Sequence, residues 1–474
     1  MRTNYYTITT RLRMNRKKKK YFESFIEDYN KVYRIMWRLR MSRDFLERFE
    51  NESKFATFIT IQYGFDSSTV HSMLNDINTH RKRLRELKKT ELIQFKYKIK
   101  SLEDKIDRIK GKINKLKQKA ACNEATEIEL REYRKLKNHL YLYQNDLNRV
   151  KQNCNNTQHC LHNSILKYAF GGKKLFKAQY DLKKNGYRDH NEWYKDYTNH
   201  RDKNIFYLGK VKDKCGNHRF QMQCFYVLDC FSVKIRKESV YCESQSIEDK
   251  YIFFSEINFN HLHKELVKIV SSYNNSSVGI VPLNYRIIRK GKKWYLQCIF
   301  KIEYSDNEIE TTSNDGVIGL DYNNGFIVAS ETDSQGNLID LARYDLKFHG
   351  KGNRGDTELQ QTLATIVNLA KNKGKDIVIE DLDFKKKKSQ MCKTFSSKGK
   401  KYNRMLALFD YGRYKSRMYN CCHRNKVMLH LVSPAYTSRI GMQKYNNSKK
   451  MSTHQSASYV IARRGQGYID KLVA

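Results

Sequence analysis

Residues 4–12, NYYTITTRL, alternate in polarity and are rich in aromatic and β-branched side chains, the pattern of a strand with one buried face. A basic run, Arg16 to Lys20, leads into a helical stretch reaching about Phe49, and a further helical segment is expected near Ser67–Ile77. From Leu92 to Leu116 apolar residues recur at 3-4-3-4-3-4-3 spacing, a heptad seam on one long helix. The seam stops at Ala120–Asn123. A second helix opens at Thr126, with Glu129 three residues on, as in a capping box. Its own seam runs from Tyr133 to Val150 at the same spacing. Two matching seams joined by a short connection predict an antiparallel hairpin over residues 82–152.

From about Asn204 to Tyr304 the period changes to two, with glycine-containing turns at 214–217 and 289–292. This predicts a β-barrel or a small sheet domain. The strand at 4–12 fits the same domain, so the helical section reads as an insertion into it. After Glu310 the pattern is mixed. Residues 316–330, GVIGLDYNNGFIVAS, read as a β-hairpin with Asn-Asn-Gly at its turn. Strands at 337–344, 376–380 and 426–432 and helices at 357–373, 402–424 and 452–465 follow, the order of an RNase H-like domain. The lysine-rich stretch 385–401 has no periodicity and is expected to be mobile, as a lid, a strand guide or a solvated charge run.

Charge then narrows the partner. The formal net charge of the 474 residues is +41. Such a surplus repels itself unless a polyanion neutralises it, which points to nucleic acid, with an anionic membrane surface as the rival. No apolar run is long enough to span a bilayer, so no membrane partner is expected. The N-terminus lacks the apolar core of a signal peptide. The eleven cysteines are scattered and read as reduced thiols. A cytoplasmic protein of a prokaryotic cell, acting at the nucleoid, is the expectation. The basic faces of the hairpin read either as a solvated coiled coil or as an arm along a duplex backbone.

Asp321 ends one apolar strand, just before a turn, and Glu380 ends another. Phosphodiester hydrolysis with two divalent ions needs converging carboxylates, and hard oxygen ligands suit Mg²⁺ or Mn²⁺. Either acid alone could equally end a strand at the surface.

These residues sit in motifs that carry a family resemblance. GVIGLDYN at 316–323 resembles the first RuvC motif of TnpB proteins and type V CRISPR effectors, and DIVIEDLDF at 376–384 resembles the second. Asn403-Arg404, the basic helix after them and SPAYTSRIG at 433–441 resemble the stretch before the third. Phe170-Gly171-Gly172-Lys173-Lys174 and the text up to Asn217 resemble members encoded by insertion sequences. The likeness runs from about Phe170 to Gly467.

The resemblance implies an α+β multidomain chain. Residues 1–15 would give the first strand of a β-barrel wedge domain, 16–203 a helical recognition lobe, 204–310 the remainder of the wedge and 311–474 a RuvC nuclease domain. It implies a guide RNA, double-stranded target DNA with a short adjacent motif, and DNA cleavage. Asp321 and Glu380 would be catalytic and bind two Mg²⁺ or Mn²⁺ ions. Arg463, Arg464, Lys173 and Lys174 are candidate nucleic-acid contacts.

Two departures stand out. The family's zinc-binding insert begins TSxxCxxC, whereas Gly441 and Lys444 occupy those cysteine positions here, so no zinc is expected there. Cys421-Cys422-His423 reads as structural, and the Cys154, His159, Cys160, His162 group lacks a second pair at zinc-ligand spacing. Secondly, His454 stands where the third motif carries Asp. An imidazole can ligate Mn²⁺, orient water or take a proton, so His454 is expected to complete the site; Asp470 is a weaker substitute. The alternatives left open are a catalytically silent RNA-guided DNA-binding protein acting as a repressor, a transposase that needs no RNA, and a basic coiled-coil structural protein.

Overall fold

The computed structural model describes the chain except residues 1, 43, 123, 212–215, 226–227, 245, 274–280, 305–307, 349–352, 383–396, 409–410 and 473–474. The chain forms two compact units, one of residues 3–91 with 155–302, the other of 92–154 with 303–474 and the first two residues.

In the first unit, the alternation at the start of the chain becomes β1 (Arg2–Leu12), which buries Tyr6, Ile8 and Leu12. Helix α1 (Arg16–Arg40) starts at Asn15, whose side chain accepts from the Lys18 amide, and buries Phe22, Phe25, Ile26, Tyr29 and Met36 along one stripe. Helix α2 (Glu52–Tyr63) ends at Gly64, which is left-handed at φ 69°. Helix α3 (Ser67–Ala121) is continuous over 55 residues. The segment expected at Ser67–Ile77 is thus its first turns rather than a separate helix, because no proline or glycine interrupts the chain before Gly111. At its start the buried Arg219 guanidinium meets Asp66 at 2.5 Å and Glu238 at 2.7 Å, while Thr69 donates to Glu238.

The remaining strands of this unit are β2 (Asn204–Tyr207), β3 (Phe220–Phe225), β4 (Cys230–Arg236), β5 (Tyr251–Ile257), β6 (Asn284–Lys290) and β7 (Lys293–Tyr304). The first strand does join them, since the larger sheet has the order β1-β7-β6-β2. The expected barrel is not closed. Among the described residues the seven strands form that sheet and a second of order β3-β4-β5. Buried Asn217 turns the chain out of the first ladder. It donates to Leu283 O at 3.0 Å and accepts from the amides of Arg219 and Phe220. Phe220 then stacks on Tyr285, centroids 4.0 Å apart, so bulky rings pack the two sheets together instead of a shared ladder.

In the second unit, α3 and helix α4 (Glu127–His162) form the antiparallel hairpin. Leu102, Ile106, Tyr143 and Val150 make its core, with Lys119–Glu129 and Lys151–Glu103 ion pairs across it. Thr126 and Glu129 exchange the two capping-box hydrogen bonds, at 2.9 and 3.3 Å.

The rest of this unit is a sheet covered on both faces. Its strands are β8 (Thr312–Asn323), β9 (Phe326–Thr332), β10 (Leu338–Asp345), β11 (Lys375–Glu380) and β12 (Leu429–Val432), in the order β10-β9-β8-β11-β12. The first three are antiparallel, and β11 runs parallel to both β8 and β12. Ile318, Leu320, Ile377 and Ile379 pack with helix α5 (Asn353–Asn372) and helix α6 (Tyr411–Arg424). Val317 and Val378 pack on the other face with Ile461 and Ala462 of helix α7 (Thr453–Gly465). Of the stretch 385–401, residues 385–396 lie outside the described residues, and 397–401 open a helix, Ser397–Leu408, rather than continuing without structure. Among the described residues no helix is long and apolar enough to cross a membrane.

Candidate active site

The period of a strand decides which side chains can meet. Leu320 and Ile379 are register partners in the parallel pair β8–β11, and both point into the core beneath α5 and α6. The next residue on each strand must point the opposite way. Asp321 and Glu380 therefore emerge side by side at the strand ends, on the face covered by α7.

Helix α7 reaches that face through small residues. A Cβ on Gly319 would lie 2.4 Å from Ala462 N and 2.5 Å from Ser458 O, so only glycine lets the helix backbone settle on β8. Ser330 and Ser458 share a hydrogen bond at 2.5 Å. Ser452 caps the helix in a reciprocal capping box with Gln455, which fixes the direction of its first turn. His454 consequently sits with Nδ1 3.0 Å from Asp321 Oδ2. Its ring meets Phe326 edge-on, centroids 5.1 Å apart, and Arg343 lies 4.0 Å over the other partner of that contact, the Phe326 ring.

Each acid has a further partner. Asn323 Nδ2 donates to Asp321 Oδ2 at 2.7 Å. Thr437 Oγ1 donates to Glu380 Oε1 at 2.5 Å. Tyr436, the residue before it, is left-handed at φ 61°, a conformation uncommon outside glycine, and it opens the short helix that presents Thr437. Tyr411 OH donates to the Glu380 carbonyl. Burial pushes the Glu380 carboxyl up to about 7; the Thr437 bond and Arg464 pull it down, and the Asp321 charge adds to the rise. The hydrogen bond to Asp321 raises the His454 pKa above its ordinary value, against burial and Arg343.

The sequence thus names three residues that the fold gathers from strands and a helix far apart in the chain. It does not name Asn323 or Thr437. Asn323 was visible only as a turn residue, and Thr437 only as part of SPAYTSRIG. Of His454, the expected third metal ligand, Nδ1 is engaged with Asp321. Among the described residues no group of three or more His, Cys, Asp or Glu side chains is placed to hold a metal ion.

The other named residues are placed as follows. Arg463 donates to Asp470 Oδ2 at 2.9 Å and to Gly336 O at 2.9 Å, so its guanidinium braces the fold. Asp470, only 8% exposed, is taken up by Arg463, Lys444 and Tyr445. Its carboxylate is thus held by groups of its own surroundings. Arg464 donates to the carbonyls of Ser433 and Ala435 at 2.5 and 2.7 Å and stands near enough to lower the Glu380 pKa. Lys173 and Lys174 are exposed at the start of a five-residue helix in the other unit. Cys421 and Cys422 are buried in the sheet's core.

No protein-family model matches the chain, and no curated protein matches it. Among solved structures the chain is similar to a Cas12i1 R-loop complex before target DNA cleavage, with TM-score 0.18 and 11% identity, covering 87% of this chain and 58% of that one. It is also similar to a Cas12i1 R-loop complex after cleavage, with TM-score 0.18 and 12% identity, covering 89% and 51%. This chain therefore spans little more than half the length of those proteins.

Proposed function

We propose that the chain is an RNA-guided DNA endonuclease of the TnpB type, hydrolysing phosphodiester bonds with Mg²⁺ or Mn²⁺ at Asp321 and Glu380. The observation that carries this reading is the register of β8 on β11, which brings the two acids together beside His454. The sheet order supports it: three antiparallel strands followed by two parallel ones is the arrangement of RNase H-like domains, RuvC among them. The net charge of +41 supports a polyanionic partner, and guide pairing would carry most of the sequence reading while the protein reads a short adjacent motif.

The donor set fits a divalent cation. Glu380 is raised partly by the Asp321 charge, and a cation shared by two carboxylates turns that repulsion into attraction. Asp321 and Glu380 would hold it, and when bound it supplies charge stabilisation for the phosphoryl oxygens and an acidified water. The chain's own side chains do the positioning. Asn323 and His454 fix the Asp321 carboxylate, and Thr437 fixes Glu380. The second ring nitrogen of His454, which does not meet Asp321, is the one available to orient water or to move a proton.

A second reading is a silent RNA-guided DNA-binding protein, favoured by the engagement of His454 Nδ1 with Asp321. Plasmid cleavage by protein purified with its copurifying RNA, with Mg²⁺ or Mn²⁺ added, separates the two. Guide-directed cutting that disappears in Asp321→Ala supports the nuclease. Guide-dependent binding without cutting supports the silent protein. Absence of any discrete RNA sinks both and favours a transposase.

A further inference from the structure

The unit of residues 3–91 and 155–302 holds a cavity of ≈ 360 Å³, within the size range of small-ligand sites. The stretch Phe170-Gly171-Gly172, singled out in the sequence, forms part of its wall. Both glycines are left-handed, at φ 75° and 101°, and a Cβ on Gly172 would meet nothing within 4 Å, so this edge stays open.

The wall is aromatic. Tyr168 is 37% exposed, and its ring is fixed against Phe170, centroids 4.8 Å apart at 86°. Trp37 and His80, the latter also lining the cavity, stand against it at 5.0 and 5.4 Å, so a base meets the part of the ring that these two leave exposed. A ring held in place and left partly exposed is a platform on which a base can stack.

The polar groups are paired by type. Asp76 Oδ2 accepts from Tyr33 OH at 2.9 Å. Asp76 Oδ1 stands 3.7 Å from an Arg286 amino nitrogen, too far for a hydrogen bond, so the carboxylate retains acceptor capacity and the guanidinium donor capacity on this side. Arg286 is steadied over the Phe206 ring at 5.3 Å. A carboxylate beside a guanidinium matches guanine, which offers N–H donors at N1 and N2 next to the O6 acceptor. Adenine presents the reverse polarity at the corresponding positions. Lys203 also lines the cavity and supplies positive charge for a phosphate, while Arg201 at the wall is paired with Asp202 at 2.7 Å.

We propose that this cavity takes one unpaired guanine nucleotide of a nucleic-acid strand, its base on Tyr168, its polar edge at Asp76 and Arg286, and its phosphate at Lys203. The inference rests on the reading that the chain binds nucleic acid and is independent of cleavage at Asp321 and Glu380.

Fluorescence anisotropy of the full-length protein in EDTA tests it. The probes are labelled oligouridine and oligothymidine carrying one central guanine, one central adenine or neither. About tenfold tighter binding of the guanine probe is expected. The RNA and DNA arms show which strand supplies the base, and competition by guanosine monophosphate shows whether a free nucleotide suffices. Asp76→Asn and Tyr168→Ala should each remove the guanine gain, Tyr168→Ala also weakening the plain oligomer because any base can stack there, and Tyr168→Phe should keep it. Equal binding of all probes overturns the cavity's role and leaves general nucleic-acid binding intact. No binding of any probe overturns both.

Discussion

His454 Nδ1 lies 3.0 Å from Asp321 Oδ2, across 133 positions of chain. The contact puts an imidazole at the entrance of a helix against a carboxylate at the end of a strand. Its consequence is that His454 acts on the site through Asp321. Positioning partners of this kind typically contribute 10–100-fold in metal affinity or activity. His454→Ala is expected to lower cutting by about that factor or more, and His454→Asp to retain part of it. Asp321→Ala should abolish cutting. Rates measured on one guide-matched plasmid check all three, and a His454→Ala rate equal to the parent would remove His454 from the mechanism.

Glu380 is held in its neutral form by burial, with its pKa up to about 7. A carboxyl raised above its unfolded value favours the folded state below about pH 4.5, and that advantage is lost as pH rises through 7. At pH 8 the ionised Glu380 is therefore a burden on the metal-free protein. Glu380→Gln should raise the unfolding free energy there by up to about 3 kcal/mol while eliminating cutting. Thermal unfolding in EDTA at pH 5 and pH 8 measures it: the gain should appear at the higher pH and shrink at the lower.

Metal uptake should follow the same titration. Below pH 7 the ion must displace a proton from Glu380, so affinity for Mn²⁺ should rise with pH up to about 7 and then level. Titration calorimetry of metal-free protein reads this directly. A pH-independent affinity over that window would take Glu380 out of the coordination.

Asp470 titrates in the opposite sense. Burial, the largest single influence, raises its pKa, but Arg463, Tyr445 and Lys444 together outweigh it and hold the carboxyl below its usual range. A depressed pKa gives stability that is full above the unfolded value of about 3.9 and lost as pH falls through the folded one. Asp470→Asn leaves Arg463 without its counter-charge and should cost about 3 kcal/mol at pH 7. The cost should fade only as pH falls below the usual carboxylate range, read in urea unfolding curves.

Gly319→Ala tests the seating of α7. The added Cβ would collide with backbone atoms of Ala462 and Ser458, which cannot swing aside as a side chain can. A loss of about 3 kcal/mol or more is expected, with cutting reduced in the folded fraction because His454 moves off Asp321. Retained stability would mean that α7 can shift outward at little cost.

The amino-acid sequence alone determined the local elements and their faces. Period two placed the strands of the first unit, period 3.5 placed the hairpin, and the short apolar runs in GVIGLD and DIVIE placed Asp321 and Glu380 at strand ends. The unbroken run of α3 from Ser67 was open to reading in the absence of proline and glycine before Gly111, but local rules act over a few residues and could not see that Asn217 parts the seven strands into two sheets. The partners of the acids were decided only by tertiary structure. Asn323 and Thr437 became functional candidates through the register of β8 on β11 and the close seating of α7 over Gly319. The hydrogen bond from Arg463 to Asp470, seven residues on, was likewise set by tertiary packing. Side-chain periodicity is written into the chain one residue at a time, whereas a site depends on distances between segments that only packing sets.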